Sequence, residues 1–375
     1  MDKVEVPPGR KVVVAEFAED PEAAIEHQVA LAALAPPDPA TLGPRDVIIE
    51  VKSASVGWVD LLMTSGQYQH MPSPPYTPGL EYAGVVAWAG AEVPRATLPL
   101  GSAVYVDGLL AGPRSLGAYQ AFGGWASYAV APLEAVRPLP AGLSFDEGCN
   151  LLGSYETAYH CLVTCGKLQP GETVLIHGAS GATGLAAVHL AKLLGATVIA
   201  TGRRPEKLEV VRAQGADHVL LCPSQDGAAG GRRLRDDVKA LTGGTGVDVV
   251  YDGVGGDITV ESLRCLRFGG RLLIVGWAAT PNVARGKGQR GAPNANQLPT
   301  NLLMMKALTV QGCPTVLATL HDPSLRPPRL QQILGWVAAG KLRPYVSQVF
   351  PLAEFKQAMR AKWRGEVIGG CVLRP

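Results

Sequence analysis

His177-Gly-Ala-Ser-Gly-Ala-Thr-Gly184 follows directly on the apolar run Thr173-Val-Leu-Ile176 and leads into a helical pattern from Leu185 to Leu194, with a glycine at 195. A strand that runs into a Gly-rich turn and then a helix aims backbone N–H groups and the positive end of the helix dipole at a pyrophosphate. The strict pattern is G-x-G-x-x-G, and here the turn reads Ala179-x-Gly181-x-x-Gly184, one glycine short. Ser180, Gly181, Ala182 and Thr183 are the candidates for facing the pyrophosphate through main-chain N–H groups. Gly184 is the candidate for close packing of the helix on the strand. About twenty residues on, an acidic side chain would grip a bare ribose. At that place the chain reads Thr201-Gly-Arg-Arg-Pro-Glu-Lys207. A guanidinium fork matches phosphate geometry, so Arg203 and Lys207 suit a 2′-phosphate, with Arg204 serving instead or pointing to solvent. The cofactor these residues imply is NADPH.

The surroundings of the turn repeat its alternation. Strand-like Thr197–Ala200, His218–Leu221, Val247–Tyr251 and Arg271–Val275 alternate with helical patterns at 205–214, around 234–241 and near 257–266. Val-, Ile- and Leu-rich runs alternating with helices predict a doubly wound parallel sheet covered on both faces. The plainer alternative is an α/β domain that holds no nucleotide.

The first half has a different texture. Val12–Phe17, Val47–Val51, Tyr82–Val86, Ala103–Val106 and Ala126–Val130 read as short strands separated by Pro- and Gly-rich turns. Few helical patterns interrupt them, which predicts a barrel-like β unit. From Phe145 to Leu162 the pattern turns helical, with Asp146 and Glu147 near the start, where acidic residues suit the helix dipole. The expected boundaries are 1–155 for the β unit, 156–312 for the nucleotide unit and 313–375 for a segment returning to the first. Helix at Leu330–Ala339 and strands at Val346–Phe350 and Cys371–Leu373 are expected in that last segment. Two stretches are irregular: 223–231, a polar loop, and 279–300, a longer basic loop carrying Arg285, Lys287 and Arg290. The second follows a strand on the ligand-binding edge of the sheet, where it is either a lid or a solvated insertion.

Composition bounds the partners. With 375 residues the chain exceeds what one hydrophobic core usually supports. The 34 Lys and Arg against 32 Asp and Glu leave a net charge of only +2, which gives no reason to invoke nucleic acid or a membrane surface. Seven scattered cysteines without a C-x-x-C pair read as reduced thiols. Cys161 and Cys165 share a helix face, more simply as buried thiols than as ligands. No apolar stretch is long enough to span a bilayer, and the N-terminus lacks the apolar core of a signal peptide. A cytoplasmic location is the expectation.

Several further stretches carry a resemblance: Ser65-Gly-Gln-Tyr68, Pro75-Tyr-Thr-Pro-Gly-Leu-Glu-Tyr-Ala-Gly84, Gly123-Gly-Trp-Ala-Ser-Tyr-Ala129, Glu156-Thr-Ala-Tyr159, Gly246-Val-Asp-Val-Val-Tyr-Asp252 and Asn301-Leu-Leu303. In order and spacing they resemble the medium-chain dehydrogenase/reductase superfamily, in its zinc-free quinone oxidoreductase and enoyl (2-alkenal, prostaglandin-type) reductase branch. The resemblance implies an α/β protein with a GroES-like β-barrel catalytic domain and a Rossmann cofactor domain. It also implies a homodimer joined through the cofactor-domain sheet edge. Thr157, Val254, Gly276 and Asn301 match family positions near the nicotinamide; each is otherwise an ordinary loop or helix-start residue. A Tyr that assists the 2′-phosphate in relatives is Cys222 here.

The resemblance also bears on metal. Zinc-dependent relatives place a Cys near the position of Gly57 and a His–Glu pair where this chain has Leu80-Glu81, and their four-cysteine lobe falls where 98–120 contains no Cys. Zinc needs Cys, His or carboxylate ligands, so no metal is expected, and Glu81 is expected as a structural carboxylate bonding to backbone. Without a Lewis acid, conjugate reduction or quinone reduction is easier than alcohol oxidation, because the charge spreads over an enolate or hydroquinone. The implied substrates are small molecules: a quinone, enone, enal or enoyl thioester. Tyr68 matches the Tyr of the branch's S-G-x-Y motif and is the candidate catalytic donor, or else packs at the border of the cleft. Many quinone reductases have Asn at the position of Gly57, so a two-donor oxyanion arrangement is in doubt. Trp58, Tyr76, Tyr155 and Trp277 are candidate apolar walls or core. The rival function is a nucleotide-binding structural or regulatory protein of the crystallin or vesicle-associated type.

Overall fold

Short β-branched runs fold into antiparallel strands wherever one face can be buried. In the computed structural model, which describes residues 7–68, 71–115, 117–222, 233–279 and 296–375, the first unit opens with β1 (Gly9–Val14) and β2 (Val29–Leu34), an antiparallel pair. There follow β3 (Asp46–Ser55), β4 (Tyr82–Ala89), β5 (Ala103–Val106), β6 (Tyr128–Pro132) and β7 (Val136–Pro138). β3 is the hub of the unit's larger sheet: it pairs antiparallel with both β4 and β6. Val47, Ile49 and Val51 along it are buried, and the core of this unit gathers around them with Tyr82, Val104 and Trp125, while Ile48 on the other face packs with Tyr128 and Val130.

The second unit is a six-stranded sheet. β8 (Thr173–Ile176), β9 (Thr197–Gly202), β10 (His218–Leu221), β11 (Val247–Asp252), β12 (Leu266–Ile274) and β13 (Thr309–Gly312) lie in the order β10-β9-β8-β11-β12-β13, every neighbour parallel. Helices at Ala182–Leu193, Pro205–Ala213, Leu234–Leu241, Asp257–Cys265 and Thr300–Met305 connect them. Val174, Leu175 and Ile176 are fully buried, as the central strand of a sheet covered on both faces must be. The chain leaves β8 for β9 on one side and later places β11 on the other. The carboxyl end of β8 is therefore the switch point at which open α/β sheets bind ligands. The fold is the expected α/β combination of a β unit and a doubly wound parallel sheet.

By packing, the described residues through Gly153 group with 343–375, and those of 154–279 group with those of 296–342. The return to the first unit thus comes at Arg343. Residues 313–342 stay with the parallel sheet because Glu156 accepts from Arg326 (Nη2, 2.7 Å) and from buried Arg329 (Nε, 2.9 Å). Beyond Arg343, β14 (Val346–Pro351) and β15 (Gly370–Arg374) join the first sheet through β15 and β3. Arg343 and Arg374 reach the acidic helix start: Arg343 pairs with Glu147, and Arg374 with Asp146 at 2.5 Å.

Several elements differ from their sequence-based limits. The helical stretch expected over 145–162 is three pieces, Phe145–Gly148, Leu152–Tyr159 and a wider turn at His160–Cys165. The helix expected from Leu330 starts at Arg326, since Pro327 and Pro328 fit a first turn whose N–H groups need no partner. β1 ends at Val14 instead of Phe17, where Asp20 caps a short helix beginning at Pro21. The loop 223–231 and most of the 279–300 segment, including Arg285, Lys287 and Arg290, lie outside the described residues.

Candidate functional site

The turn after β8 is built by its glycines. Gly178 adopts φ +63°, and a Cβ there would stand 3.0 Å from Val254 Cγ2. Ala179, where the strict pattern has its first glycine, is fully buried, and its N–H donates to Thr201 O at 3.1 Å. The missing glycine is therefore displaced by one residue, and the working pattern is Gly178-x-x-Gly181-x-x-Gly184. Gly181 caps the helix Ala182–Leu193 with extended backbone and offers no side-chain cap. The N–H groups of Ala182, Thr183 and Gly184 in its first turn face no capping oxygen. At Gly184 a Cβ would lie 2.4 Å from Gly178 O, which is the close approach that requires glycine there. Ser180 and Thr183 are both partly exposed.

Beneath the turn, His177 is buried between Thr201 and Ser262. Ser262 Oγ donates to Ile258 O at 2.6 Å, so its oxygen accepts from His177 Nε2–H at 2.7 Å. His177 Nδ1 then accepts from the Thr201 hydroxyl at 2.8 Å. Burial pushes the imidazole pKa down, against the opposing pull of the Asp252 charge. Asp252, at the end of β11, accepts from the N–H groups of Val254 and Gly255, both at 2.9 Å, and from the Thr259 hydroxyl. Its carbonyl takes the N–H groups of Val275 and Gly276. Val254 and Gly276 are in this way brought to the same carboxyl edge as the glycine turn. Asn296 Nδ2 donates to Gly256 O at 3.1 Å on that edge, and Asn301 follows, exposed in the helix Thr300–Met305.

Past β9, Arg203 and Arg204 are exposed, and neither guanidinium has a partner among the described residues. Arg204 stands at the N-cap of the helix Pro205–Ala213, an end that ordinarily disfavours cations. Lys207 differs, being buried to 7% exposure one turn into that helix. Cys222 N–H donates to Gly202 O at 2.8 Å, closing the strand ends behind the arginines. Thr157 lies, partly exposed, in the helix Leu152–Tyr159.

In the first unit a buried carboxylate organises the residues that the zinc relatives use for metal. Asp60, at the third position of the helix Trp58–Met63, accepts from Gly57 N–H at 2.9 Å, Gly79 N–H at 3.1 Å and Leu80 N–H at 3.0 Å. Gly79 has φ +104°, and a Cβ there would strike Trp125. Burial raises the Asp60 carboxyl to about 6, and those three N–H groups and the Arg114 charge pull the other way. Glu81 bonds to backbone as expected, accepting from Gly153 N–H at 2.5 Å. No group of three His, Cys, Asp or Glu side chains able to hold a metal occurs among the described residues. Tyr68 follows Gly66 (φ +72°) in the bend after the helix, and its phenol makes no hydrogen bond among the described residues. Of the candidate walls, Trp58 stacks on Trp363 at 5.1 Å, Tyr76 is buried, and Trp277 is 43% exposed. Tyr155 is a framework residue that donates to His189 Nδ1 at 2.7 Å.

Sequence reading missed Gly178, Asp60, His177 and Asp252. Only Gly178 left a usable signal, the i, i+3, i+6 glycine spacing. Asp60 and His177 act through partners distant in sequence, and Asp252 through a turn that no spacing announces.

Residues 43–141 match the family described as alcohol dehydrogenase GroES-like domain, and residues 182–323 that described as zinc-binding dehydrogenase. Quinone oxidoreductase-like protein 2 homolog from Nematostella vectensis is 33% identical over 87% of this chain and 82% of its own length. Quinone oxidoreductase from Sus scrofa is 30% identical over 84% of this chain and 85% of its own. Among solved structures, a probable oxidoreductase from Mycobacterium abscessus superposes with a TM-score of 0.76 at 29% identity, covering 98% of this chain and 99% of that one. Escherichia coli quinone oxidoreductase complexed with NADPH shares the fold at a TM-score of 0.75 and 24% identity, covering 98% and 100%.

Proposed function

The chain belongs to the medium-chain dehydrogenase/reductase superfamily, in its quinone oxidoreductase branch, and from that premise we propose that it is an NADPH-dependent oxidoreductase reducing a quinone or an α,β-unsaturated carbonyl (enone, enal or enoyl thioester). The observation that carries the cofactor half of this reading is the unpaired pair Arg203 and Arg204 beside a glycine turn with free helix N–H groups. A pyrophosphate suits the N–H groups of Ser180 to Gly184, and a 2′-phosphate suits the two guanidinium groups. Lys207 joins them only if its ammonium reaches out along its apolar stem. Thr157, Val254, Gly276 and Asn301 are proposed to flank the nicotinamide.

When bound, the dinucleotide supplies a hydride and is left oxidised. The protein's part is to hold it, orient the acceptor and take up the charge that forms on the acceptor's oxygen. Gly57 and Leu80 have no atoms that ligate zinc, so in this reading the charge is met by hydrogen-bond donors. Tyr68, whose phenol makes no hydrogen bond among the described residues, is proposed to donate to that oxygen or to protonate the reduced acceptor. A homodimer formed along the open edge of β13 is proposed as well; exposed Met304 and Met305 lie in the helix before it.

The test mixes protein, NADPH and a panel of quinones and enones, following the reduced-nicotinamide absorbance. Acceptor-dependent loss of that band is expected, faster with NADPH than with NADH. Clear NADPH binding without turnover on any acceptor would replace this reading by a binding protein.

A further inference from the structure

Arg114 is an arginine without an acceptor. Its Nε is enclosed by protein yet has no hydrogen-bond partner, and none of its other N–H groups has one among the described residues. A buried donor left unmade is costly and calls for an explanation. Its neighbours say where it sits. Nη2 lies 3.4 Å from where a Cβ on Gly108 would be, and that same position is 2.3 Å from Leu80 O. Nη2 and the Leu80 carbonyl thus border the same space beside Gly108, which a side chain there would fill. The Arg114 charge also acts on Asp60, which holds the N–H groups of Gly57, Gly79 and Leu80. A second unmade donor belongs to the same locus: the Tyr76 hydroxyl is buried without a partner among the described residues and feels the Asp60 charge.

Asp60 spends its two oxygens on three backbone N–H groups, so it balances the arginine's charge without satisfying its N–H groups. A permanent cation, countered at a distance and with no donor taken among the described residues, is set up to receive an oxygen that is negative or becomes so. We propose that Arg114 is a catalytic residue of the first unit: its guanidinium hydrogen-bonds the carbonyl oxygen of the acceptor. Resting on the reductase reading above, this assigns the second donor that Gly57 cannot provide. As the hydride that the dinucleotide would supply bonds to the acceptor's β-carbon, the C=C π pair shifts to the bond next to the carbonyl and the C=O π pair moves onto the oxygen. Arg114 holds the resulting oxyanion, and a proton from Tyr68 or water completes the reduction.

Arg114→Ala should lower kcat/KM for a quinone or enone by about 100-fold, as loss of one oxyanion donor does, with NADPH affinity unchanged. Added methylguanidine should restore part of the lost rate, and methylamine should restore less. Arg114→Lys, the variant to read if the alanine form does not fold, keeps the charge and loses the fork; intermediate activity is expected. Wild-type rates in Arg114→Lys and Arg114→Ala would overturn the assignment while leaving the reductase reading intact, as would a slow but folded Arg114→Ala that methylguanidine does not help. Failure of the wild-type protein to reduce any acceptor would sink both.

Discussion

Arg203 and Arg204 are exposed cations without a partner among the described residues, and single-residue changes there are expected to separate the two dinucleotides. A charge-assisted hydrogen bond is worth about 1.5–3 kcal/mol. Arg203→Ala should therefore weaken NADPH about 10- to 100-fold and leave NADH nearly unchanged, read by fluorescence titration; equal weakening of both would place Arg203 away from the 2′-phosphate. Two buried titratable groups predict the acid behaviour. The folded state lowers the His177 pKa, so the unfolded chain binds the proton more readily. That contribution is complete above about pH 6.5 and falls below it at up to about 1.4 kcal/mol per pH unit. Asp60 runs the other way: with its carboxyl raised to about 6, folding favours the neutral form, and that gain is lost as pH rises through about 6. Denaturant unfolding should show Asp60→Asn losing more stability than wild type between about pH 6 and about pH 4, and His177→Gln losing less below about pH 6.5. Parallel pH curves for all three proteins would refute the assignment.

At the scale of elements, the turn from β8 into Ala182–Leu193 is one mechanical piece. Gly184→Ala would put a methyl 2.4 Å from Gly178 O, and backbone cannot yield as a flexible side chain can. Helix and turn must part, at a cost of about 1–3 kcal/mol, and the first-turn N–H groups move with them. The expected result is a lowered Tm with NADPH binding weakened as well; a variant that binds normally would mean the turn does not hold the pyrophosphate. The elements themselves were legible where a run was long or strictly alternating, as in β3, β8 and β11. Elements that depend on a partner were not. Val29-Ala-Leu-Ala-Ala-Leu34 has no β signature of its own and becomes β2 only because β1 lies beside it. β13 is four residues at a sheet edge, too short for any period to show.

For the whole molecule, a ligand that binds only the folded chain raises its stability by about 2.7 kcal/mol at a hundred times its Kd. NADPH at such a concentration should raise Tm by several degrees, and NADH at the same concentration by less; identical shifts would refute a 2′-phosphate grip. Light scattering should give the mass of a dimer, and a monomer at all concentrations would remove the proposed use of the β13 edge. No helix among the described residues is long and apolar enough to cross a membrane.

What the sequence determined alone is whatever local spacing encodes: the strand–turn–helix, the alternation that makes the sheet parallel, the two arginines past β9, and the lack of ligand atoms at Gly57 and Leu80. What waited for the tertiary structure is whatever depends on residues far apart in the chain. Asp60 reaches Gly79 and Leu80, His177 reaches Ser262, and Arg114 and Leu80 border the same space beside Gly108. A hydrogen bond between distant residues leaves no periodicity in a sequence, and a donor can be known to lack its acceptor only after every neighbour has been placed.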